Sequence, residues 1–153
     1  FPPTRLEVEI TEGYLIQQPE RAAEVLRRLR ALGIKISLDD FGSGFASLGY
    51  LRRFRLDKIK LDRSFIQSIA VDRQARRITN AVVELGRALD IPVTAEGVET
   101  EEQARLVRAA GCELQQGFLY SRPMLADELA AFIKGSTATG PPTRRLGAVP
   151  VDA

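Results

Sequence analysis

The sequence contains no histidine and only one cysteine. Without histidine there is no Ser-His-Asp or Cys-His nucleophile, no HExxH zinc site and no imidazole to serve as general base. The single cysteine, Cys112, excludes an internal disulfide and any multi-cysteine metal site, and we interpret it as a small core residue. Any catalysis must therefore use carboxylates, lysine, tyrosine or a bound metal ion.

Excess charge and long apolar runs are also lacking. The net charge is +2 with acidic and basic residues interspersed, so the composition indicates no surface for a nucleic-acid polymer. No apolar run approaches the roughly 18 residues of a membrane helix, and no signal-like segment is present. We therefore expect no membrane segment in this chain and a cytoplasmic location.

What is present is a regular alternation of strand-like and helix-like segments. Strands are predicted at residues 6–10, 34–40, 57–62, 91–97 and 113–118, and helices at 19–33, 47–54, 78–89, 100–111 and 126–134. This order predicts an α/β fold with a parallel sheet and right-handed crossovers. The Pro-, Gly-, Thr- and Ala-rich end predicts a domain over residues 1–135 and a disordered tail over 136–153.

Two segments of the chain resemble each other at a fixed offset. RALGIKISLDDFG from Arg30 and RALDIPVTAEGVE from Arg87 match in helix end, connector, strand and terminal acid, 57 residues apart. Two βα units of about 28 residues account for this offset and predict a (β/α)8 TIM-like barrel. Such a barrel needs roughly 250 residues. We therefore expect an incomplete barrel of about five C-terminal βα units, in a chain that is itself a fragment.

Polar side chains stand at or just after the carboxyl end of every predicted strand. They are Glu9, Glu12, Asp39, Asp40, Lys60, Asp62, Glu96, Glu99 and Gln116. Taken singly, each carboxylate is explained as well by a helix cap or a solvated loop acid. In a parallel barrel, however, the carboxyl ends of the strands gather on one rim, where such enzymes place their active sites. The pattern therefore favours a shared site on that rim.

A cluster of ionised carboxylates requires a nearby cation, because mutual repulsion would otherwise raise their pKa values. Oxygen ligands without histidine or cysteine suit Mg²⁺, Mn²⁺ or Ca²⁺ rather than zinc. Adjacent Asp39 and Asp40 could place one carboxylate between two metal ions, an arrangement used for attack of water on a phosphodiester. Lys60 would then orient the water or balance phosphate charge.

The loop after these aspartates, Phe41, Gly42, Ser43 and Gly44, contains two glycines that permit positive φ and close approach of a ligand. A tight turn without function explains the same residues.

Together these residues resemble the motifs of EAL domains. The resemblance is carried in order by ExTE (9–12), DDFGSG (39–44), KLD (60–62), DRSF (62–65), AEGVET (95–100) and QQGFLYSRP (115–123). It implies a bacterial phosphodiesterase that linearises cyclic di-GMP to pGpG on a TIM-like barrel with Mg²⁺ or Mn²⁺. It also implies GGDEF-like or sensory domains in the parent chain and a homodimer through the DDFGSG-loop region.

The resemblance also implies individual roles. Glu9, Asp39, Asp40 and Glu96 match metal ligands, Glu96 also matches a proposed base, and Lys60 matches the lysine that contacts the attacking water. Glu12 matches the residue that holds the DDFGSG loop. Glu99 and Gln116 match supporting or substrate-side positions, and Asp62 is interpreted as a supporting group.

This sequence departs from the family pattern in three loop residues and in its start. Ser43, Phe45 and Ala46 replace the Thr, Tyr and Ser of DDFGTGYSS. The Glu-Ala-Leu segment and a metal-binding Asn would precede Phe1, so we expect the fragment itself to hydrolyse little. Two alternatives stay open for the parent: a cyclic di-GMP receptor that does not cleave its ligand, and an unrelated barrel using Lys60 as a Schiff-base lysine.

Overall fold

The computed structural model of this protein describes residues 1–42, 44, 48–112 and 114–136. Five strands form one sheet in chain order: β1 (Glu7–Thr11), β2 (Lys35–Phe41), β3 (Lys58–Leu61), β4 (Val93–Ala95) and β5 (Leu114–Gln115). Every neighbouring pair is parallel. All five carboxyl ends therefore lie at the same edge of the sheet, as the predicted order of strands and helices requires.

The described residues include seven helices: α1 (Glu12–Gln17), α2 (Pro19–Ala31), α3 (Leu48–Arg53), α4 (Arg63–Ser68), α5 (Arg73–Leu89), α6 (Glu101–Ala109) and α7 (Ala126–Ser136). A short 3-10 helix, Pro3–Arg5, precedes β1. Helices α1 and α4 were not predicted, because six residues give little periodic signal; α3 has the same length but falls within the predicted helix 47–54. Across the described residues, no helix has both the length and the apolar character needed to cross a membrane.

Several predicted boundaries differ from the structure. The fourth strand is limited to Val93–Ala95, because Pro92 lacks an N–H donor and Gly97 adopts a left-handed φ of 70°. Helix α7 continues to Ser136, one residue into the predicted tail. Residues 137–153, Ser47 at the start of the predicted second helix and Glu113 of the predicted fifth strand lie outside the described residues.

Side-chain caps define the starts of two helices, and α5 begins five residues before the predicted 78–89 helix. Thr100 Oγ1 accepts a hydrogen bond from the Gln103 amide at 3.2 Å, and the Gln103 side chain accepts from the Thr100 amide at 3.0 Å. This reciprocal pair is a capping box, and it starts α6 where the predicted helix 100–111 begins. At the start of α5, the Asp72 side chain caps the Gln74 amide at 2.7 Å. These caps fix the residue at which α5 and α6 each begin.

The two faces of the sheet differ in chemistry. Alternate strand residues on one face are apolar and buried beneath the helices: Ile36, Leu38, Ile59, Leu61, Val93 and Ala95. Helix α2 packs on β2, and α5 packs on β3 and β4. Each large buried side chain contributes about 1.5–3 kcal/mol to folding. Cys112 is 2% exposed within this core, which confirms its interpretation as a core residue. The opposite face carries the polar residues described below.

The 57-residue repeat has a structural basis. Gly33 and Asp90 occupy equivalent positions after α2 and α5, and both are left-handed, with φ of 81° and 57°. The amide that follows each donates back into the helix, Ile34 to Leu29 at 3.2 Å and Ile91 to Gly86 at 2.8 Å. One helix-ending turn therefore leads into β2 and into β4, so alternate strands occupy like positions as predicted.

Candidate active site

Lys60 lies at the centre of the carboxyl edge of the sheet. Its Nζ lies 2.7 Å from Glu9 Oε1, 3.0 Å from Asp39 Oδ1 and 2.8 Å from Glu96 Oε1. The lysine is only 6% exposed. Strands β1, β2 and β3 and the residue after β4 each contribute one of the four side chains, so residues spread along the sequence converge on one ammonium group.

Three carboxylates form a tighter group around this edge. Asp39, Asp40 and Glu96 each offer an oxygen, and these oxygens lie within 4.8 Å of one another. Asp40 follows Asp39 with a left-handed φ of 53°, which turns its side chain back toward the group instead of leaving it on the helix-facing side. Non-glycine residues rarely adopt this conformation, and its strain is typical of functional sites. Glu9 contacts Lys60 but lies outside this group of three.

Burial and charge shift the pKa values at this edge. Burial alone would lower the pKa of Lys60, but contacts with Glu9, Glu96 and Asp39 outweigh it and raise the pKa above 10.5. Burial raises the pKa of Glu96, assisted by repulsion from Asp39 and Glu9 and opposed by Lys60. Burial also raises the pKa of Asp40, together with repulsion from Asp39 and Asp62. One lysine therefore does not neutralise the surrounding carboxylates.

The donor set fits a hard divalent cation. All ligand atoms are carboxylate oxygens, as Mg²⁺ and Mn²⁺ prefer. Asp39 Oδ1 is buried and, among the described residues, receives no hydrogen bond. Its 3.0 Å approach to Lys60 is a charge contact without hydrogen-bond geometry. A buried anionic oxygen without a donor is costly unless a cation is nearby. The metal site itself stays a prediction.

Glu12, at the start of α1, contacts the loop that follows the paired aspartates. It is 4% exposed, and its Oε2 accepts a hydrogen bond from the Gly42 amide at 3.1 Å. Gly44 lies against the same carboxylate, since a Cβ there would come within 3.3 Å of Glu12 Oε1. The loop-holding role of Glu12 stays a prediction, and these two contacts are the structural observations that support it. Ser43, the third residue of the predicted loop motif, lies outside the described residues, as do Phe45 and Ala46.

The first two residues of this loop, Phe41 and Gly42, are held by packing against neighbouring side chains. Phe41 is 5% exposed and belongs to the core. Gly42 has φ of 94°, and a Cβ at this position would lie 2.8 Å from the ring of Phe65 on α4. Glycine is therefore required where the chain leaves β2 beside that ring. The predicted dimer through this loop stays a prediction, because much of the loop is outside the described residues.

Asp62 serves as the N-cap of α4, accepting a hydrogen bond from the Ser64 amide at 2.9 Å. Its carboxylate also lies beside Asp40 and raises that residue's pKa. Asp62 is therefore a neighbour of the carboxylate group that also positions a helix. The sequence pattern alone could not separate these two roles.

Glu99 and Gln116 line a cavity of about 240 Å³ next to the carboxylates, whose wall also includes Asp40 and Glu96. The Glu99 amide is tied to the Gln103 side chain at 2.8 Å, and the Gln116 amide donates to the Ala95 carbonyl at 2.9 Å. Both residues therefore lie on the edge that sequence reasoning assigned to them.

A second polar layer lies one pleat below the site and was not predicted. Glu7 Oε1 lies 2.5 Å from Lys58 Nζ and accepts a hydrogen bond from Ser37 Oγ at 2.5 Å. Thr94 on β4, whose Oγ1 is also buried, pairs in register with Lys60 and does not belong to this lower layer. A signal was present, because EVE and KIK place Glu7 below Glu9 and Lys58 below Lys60 on the same face.

The parallel βα sheet carries a lysine and several carboxylates at the carboxyl ends of its strands. This arrangement defines the class of α/β-barrel proteins that bind ligands at this edge. The chain belongs to the EAL domain family, whose model matches residues 1–123. This confirms the family resemblance of the sequence motifs.

Two relatives illustrate the similarity. An uncharacterized signaling protein of Caulobacter vibrioides is 48% identical over 94% of this chain. The cyclic di-GMP phosphodiesterase NbdA of Pseudomonas aeruginosa is 42% identical over 92% of this chain. In each case the matched region is 18% of the relative, so the chain spans less than a fifth of the length of these proteins.

Two solved structures are similar to the described fold. The PaMucR phosphodiesterase in complex with c-di-GMP has a TM-score of 0.81 and 42% identity, covering 84% of this chain and 52% of that chain. The manganese/cy-diGMP complex of Klebsiella pneumoniae BlrP1 has a TM-score of 0.76 and 38% identity, covering 80% and 31%. The predicted TIM-like barrel is thereby confirmed, with five of its parallel strands described here.

Proposed function

We propose that a full-length EAL barrel carrying this sequence is a metal-dependent phosphodiesterase that hydrolyses cyclic di-GMP to linear pGpG. The observation that carries this proposal is the buried lysine surrounded by Glu9, Asp39 and Glu96, with Asp40 beside them. The name of the relative NbdA and the c-di-GMP complex of the PaMucR phosphodiesterase support the substrate.

Glu9, Asp39, Asp40 and Glu96 would hold Mg²⁺ or Mn²⁺ in a two-metal site. When bound, such ions polarise the phosphodiester and lower the pKa of an attacking water. The manganese complex of BlrP1 supports a divalent ion at this family's site. Asp39 Oδ1 is buried, has no hydrogen-bond donor among the described residues and lies 3.0 Å from Lys60 Nζ. A divalent ion would add the positive charge that one ammonium does not supply to the surrounding carboxylates.

Lys60 and Glu96 have complementary roles in the proposed reaction. The raised pKa of Lys60 keeps its ammonium charged at neutral pH, so it donates hydrogen bonds to water or phosphate oxygen and cannot act as a neutral amine. This protonation state argues against a Schiff-base lysine. The raised pKa of Glu96 makes this carboxylate a better proton acceptor than an exposed glutamate.

Glu12 would fix the position of the loop after Asp40 by accepting a hydrogen bond from the Gly42 amide. Asp62 would support Asp40 and the start of α4, while Glu99 and Gln116 would contact substrate from the cavity wall. The domain over residues 1–135 would supply this half of the site.

The proposal is tested by measuring cyclic di-GMP hydrolysis by a full-length EAL barrel carrying this sequence, with Mg²⁺ or Mn²⁺ and after addition of EDTA. Asp39→Asn and Lys60→Ala should each reduce the rate severely, whereas Glu24→Gln on the exposed surface of α2 should not. Unchanged rates in both site variants would contradict the mechanism. Tight binding of cyclic di-GMP by the unaltered protein without hydrolysis would instead identify a receptor.

A further inference from the structure

Strand β2 contains a β-bulge at its paired aspartates. The register between β2 and β3 shifts between Leu38 and Phe41, so that two residues of β2, Asp39 and Asp40, stand opposite one residue of β3, Lys60. Neighbouring residues of a regular strand point to opposite faces of the sheet. The bulge is therefore what allows both carboxylates to reach the same group of ligands.

The conformation of the bulge depends on the residues that follow it. Asp40 has a left-handed φ of 53°, which a non-glycine residue keeps only where the surrounding structure enforces it. Two hydrogen bonds contribute to this. The Asp62 amide donates to the Phe41 carbonyl at 3.4 Å, and the Gly42 amide donates to Glu12 Oε2 at 3.1 Å.

The ring of Phe65 on α4 adds a steric constraint at Gly42. A Cβ at Gly42 would lie 2.8 Å from Cε2 and 3.2 Å from Cζ of this ring. The edge of the ring therefore occupies the space in which a side chain of residue 42 would stand. Phe65 is only partly buried, whereas the next residue, Ile66, is fully buried in the core. Core packing thus accounts for Phe65 only in part.

Helix α4, which carries this ring, is anchored at both ends. At its start, the Asp62 carboxylate accepts a hydrogen bond from the Ser64 amide at 2.9 Å. At its end, the Arg76 guanidinium of α5 donates to the Ile69 carbonyl at 3.2 Å and 3.1 Å. A helix of one or two turns has little stability of its own. These contacts therefore keep Phe65 in place against the loop.

We propose that Phe65 is a positioning residue for Asp40. Its ring holds Gly42 where the chain leaves the bulge, and the bulge keeps the Asp40 carboxylate beside Asp39 and Glu96. This inference rests on the proposed function and adds to it a residue that acts through the backbone of the loop. Substitution of a residue that orients metal ligands typically weakens metal binding by about tenfold to a hundredfold.

The test is calorimetric binding of Mn²⁺, without substrate, to a full-length EAL barrel and to its Phe65→Leu variant. Leucine is apolar but lacks the two ring atoms that lie closest to Gly42. We expect the dissociation constant for Mn²⁺ to rise about tenfold. In the hydrolysis of cyclic di-GMP, kcat should fall by a larger factor than KM rises.

Ile66→Val, at the next residue of the same helix, is the matched control because it also removes buried apolar volume from α4. It should lower the thermal midpoint in EDTA and leave the dissociation constant for Mn²⁺ unchanged. If Phe65→Leu likewise affects only the thermal midpoint, or if both variants weaken Mn²⁺ binding equally, Phe65 is a packing residue and the proposal is overturned.

A double-mutant cycle with Gly42→Ala tests the contact itself. In the natural background, Gly42→Ala brings a Cβ to 2.8 Å from the ring and should weaken Mn²⁺ binding. Once Phe65→Leu has removed the nearest ring atoms, the same change should weaken binding by a smaller factor. Additive effects of the two substitutions would contradict the proposal, because residues that act through one contact are coupled.

Binding of Mn²⁺ also separates this inference from the proposed hydrolysis. If the unaltered barrel binds Mn²⁺ but does not cleave cyclic di-GMP, the proposed function fails, and the dissociation constants still decide the role of Phe65. If the unaltered barrel binds no Mn²⁺, both proposals fail.

Discussion

Two polar layers on the same face of the sheet use a similar lysine–glutamate pair but differ in charge balance. In the upper layer, Lys60 contacts Glu9 at 2.7 Å; in the lower layer, Lys58 contacts Glu7 at 2.5 Å. The lower layer adds only the neutral Ser37 hydroxyl. The upper layer adds Asp39 and Glu96, with Asp40 adjoining.

This difference separates a structural ion pair from a candidate metal site. One cation and one anion satisfy each other in the lower layer, and a hydroxyl completes the glutamate's hydrogen bonding. In the upper layer one ammonium faces three carboxylates, so negative charge remains uncompensated until a further cation binds. The comparison teaches that the count of charges, more than the presence of an ion pair, identifies the functional layer.

The largest expected effect comes from removing each lysine in turn. In a full-length EAL barrel, Lys60→Met should reduce cyclic di-GMP hydrolysis by about a hundredfold or more, since a positioned proton-transfer or charge-stabilising group contributes on that order. Lys58→Met should reduce it by less than about tenfold and mainly lower the thermal midpoint. Steady-state rates and thermal melts measure both effects. Equal rate losses would show that the layers are not distinct in function.

The second-largest expected effect is a difference between the two layers in metal-dependent stabilisation of the fold. Saturating Mg²⁺ or Mn²⁺ at about 100 times its dissociation constant should stabilise the folded barrel by about 2.7 kcal/mol relative to EDTA. Asp39→Asn should abolish most of this stabilisation, because it removes charge from a buried candidate ligand. Ser37→Ala, two residues earlier on the same strand, should retain it. Thermal melts with and without the ion give the answer, and a retained shift in Asp39→Asn would contradict the assignment.

Relief of backbone strain should have different consequences for activity at two aspartates that have a left-handed φ. Asp40 and Asp90 are the non-glycine residues with positive φ among the described residues. Asp90→Gly should stabilise the fold by about 0.5–1 kcal/mol without affecting hydrolysis. Asp40→Gly should stabilise more, because it also removes repulsion with Asp39 and Asp62, yet should abolish hydrolysis. Chemical denaturation and activity assays test the pair. A destabilised Asp40→Gly variant would show that the contacts of the Asp40 carboxylate stabilise the fold more than its charge repulsion and backbone strain destabilise it.

The smallest expected effect is an opposite pH dependence of the two layers in EDTA. Burial would raise the pKa of Glu7, but Lys58 and Ser37 together lower it below 4.5. Glu7 therefore stabilises the fold above pH 4.5, and this contribution is lost as the pH falls through its lowered pKa. The raised pKa of Glu96 has the reverse sign. Its favourable contribution is complete below pH 4.5 and is lost as the pH rises through its raised pKa.

Thermal melts from pH 3 to pH 8 compare Glu7→Gln and Glu96→Gln with the unaltered barrel, using Glu24→Gln on the exposed surface of α2 as baseline. The destabilisation caused by Glu7→Gln should shrink toward pH 3. The effect of Glu96→Gln should become more favourable toward pH 8. Parallel curves for both variants would mean that the layers do not differ in charge balance.

Much of the fold could be predicted from the sequence. Local sequence signals correspond to observed elements of the fold. They are the Thr100–Gln103 capping box, the helix stop at Gly33 and the period-2 pattern of the strands. The short helices α1 and α4 could not be predicted, because their packing against neighbours, and no periodic pattern, decides them. The repeat was visible in sequence because alternate strands of this sheet use the same helix-to-strand turn.

The sequence by itself determined which residues stand at the strand ends, since chain order and strand period place Glu9, Asp39, Lys60 and Glu96 on one edge of a parallel sheet. Only the tertiary structure decided which carboxylates contact which lysine. Register between strands brings three carboxylates to one ammonium and leaves Lys58 with a single glutamate partner. The left-handed turn at Asp40 and the contact of Gly117 with Val98 depend on long-range packing, which no local pattern encodes.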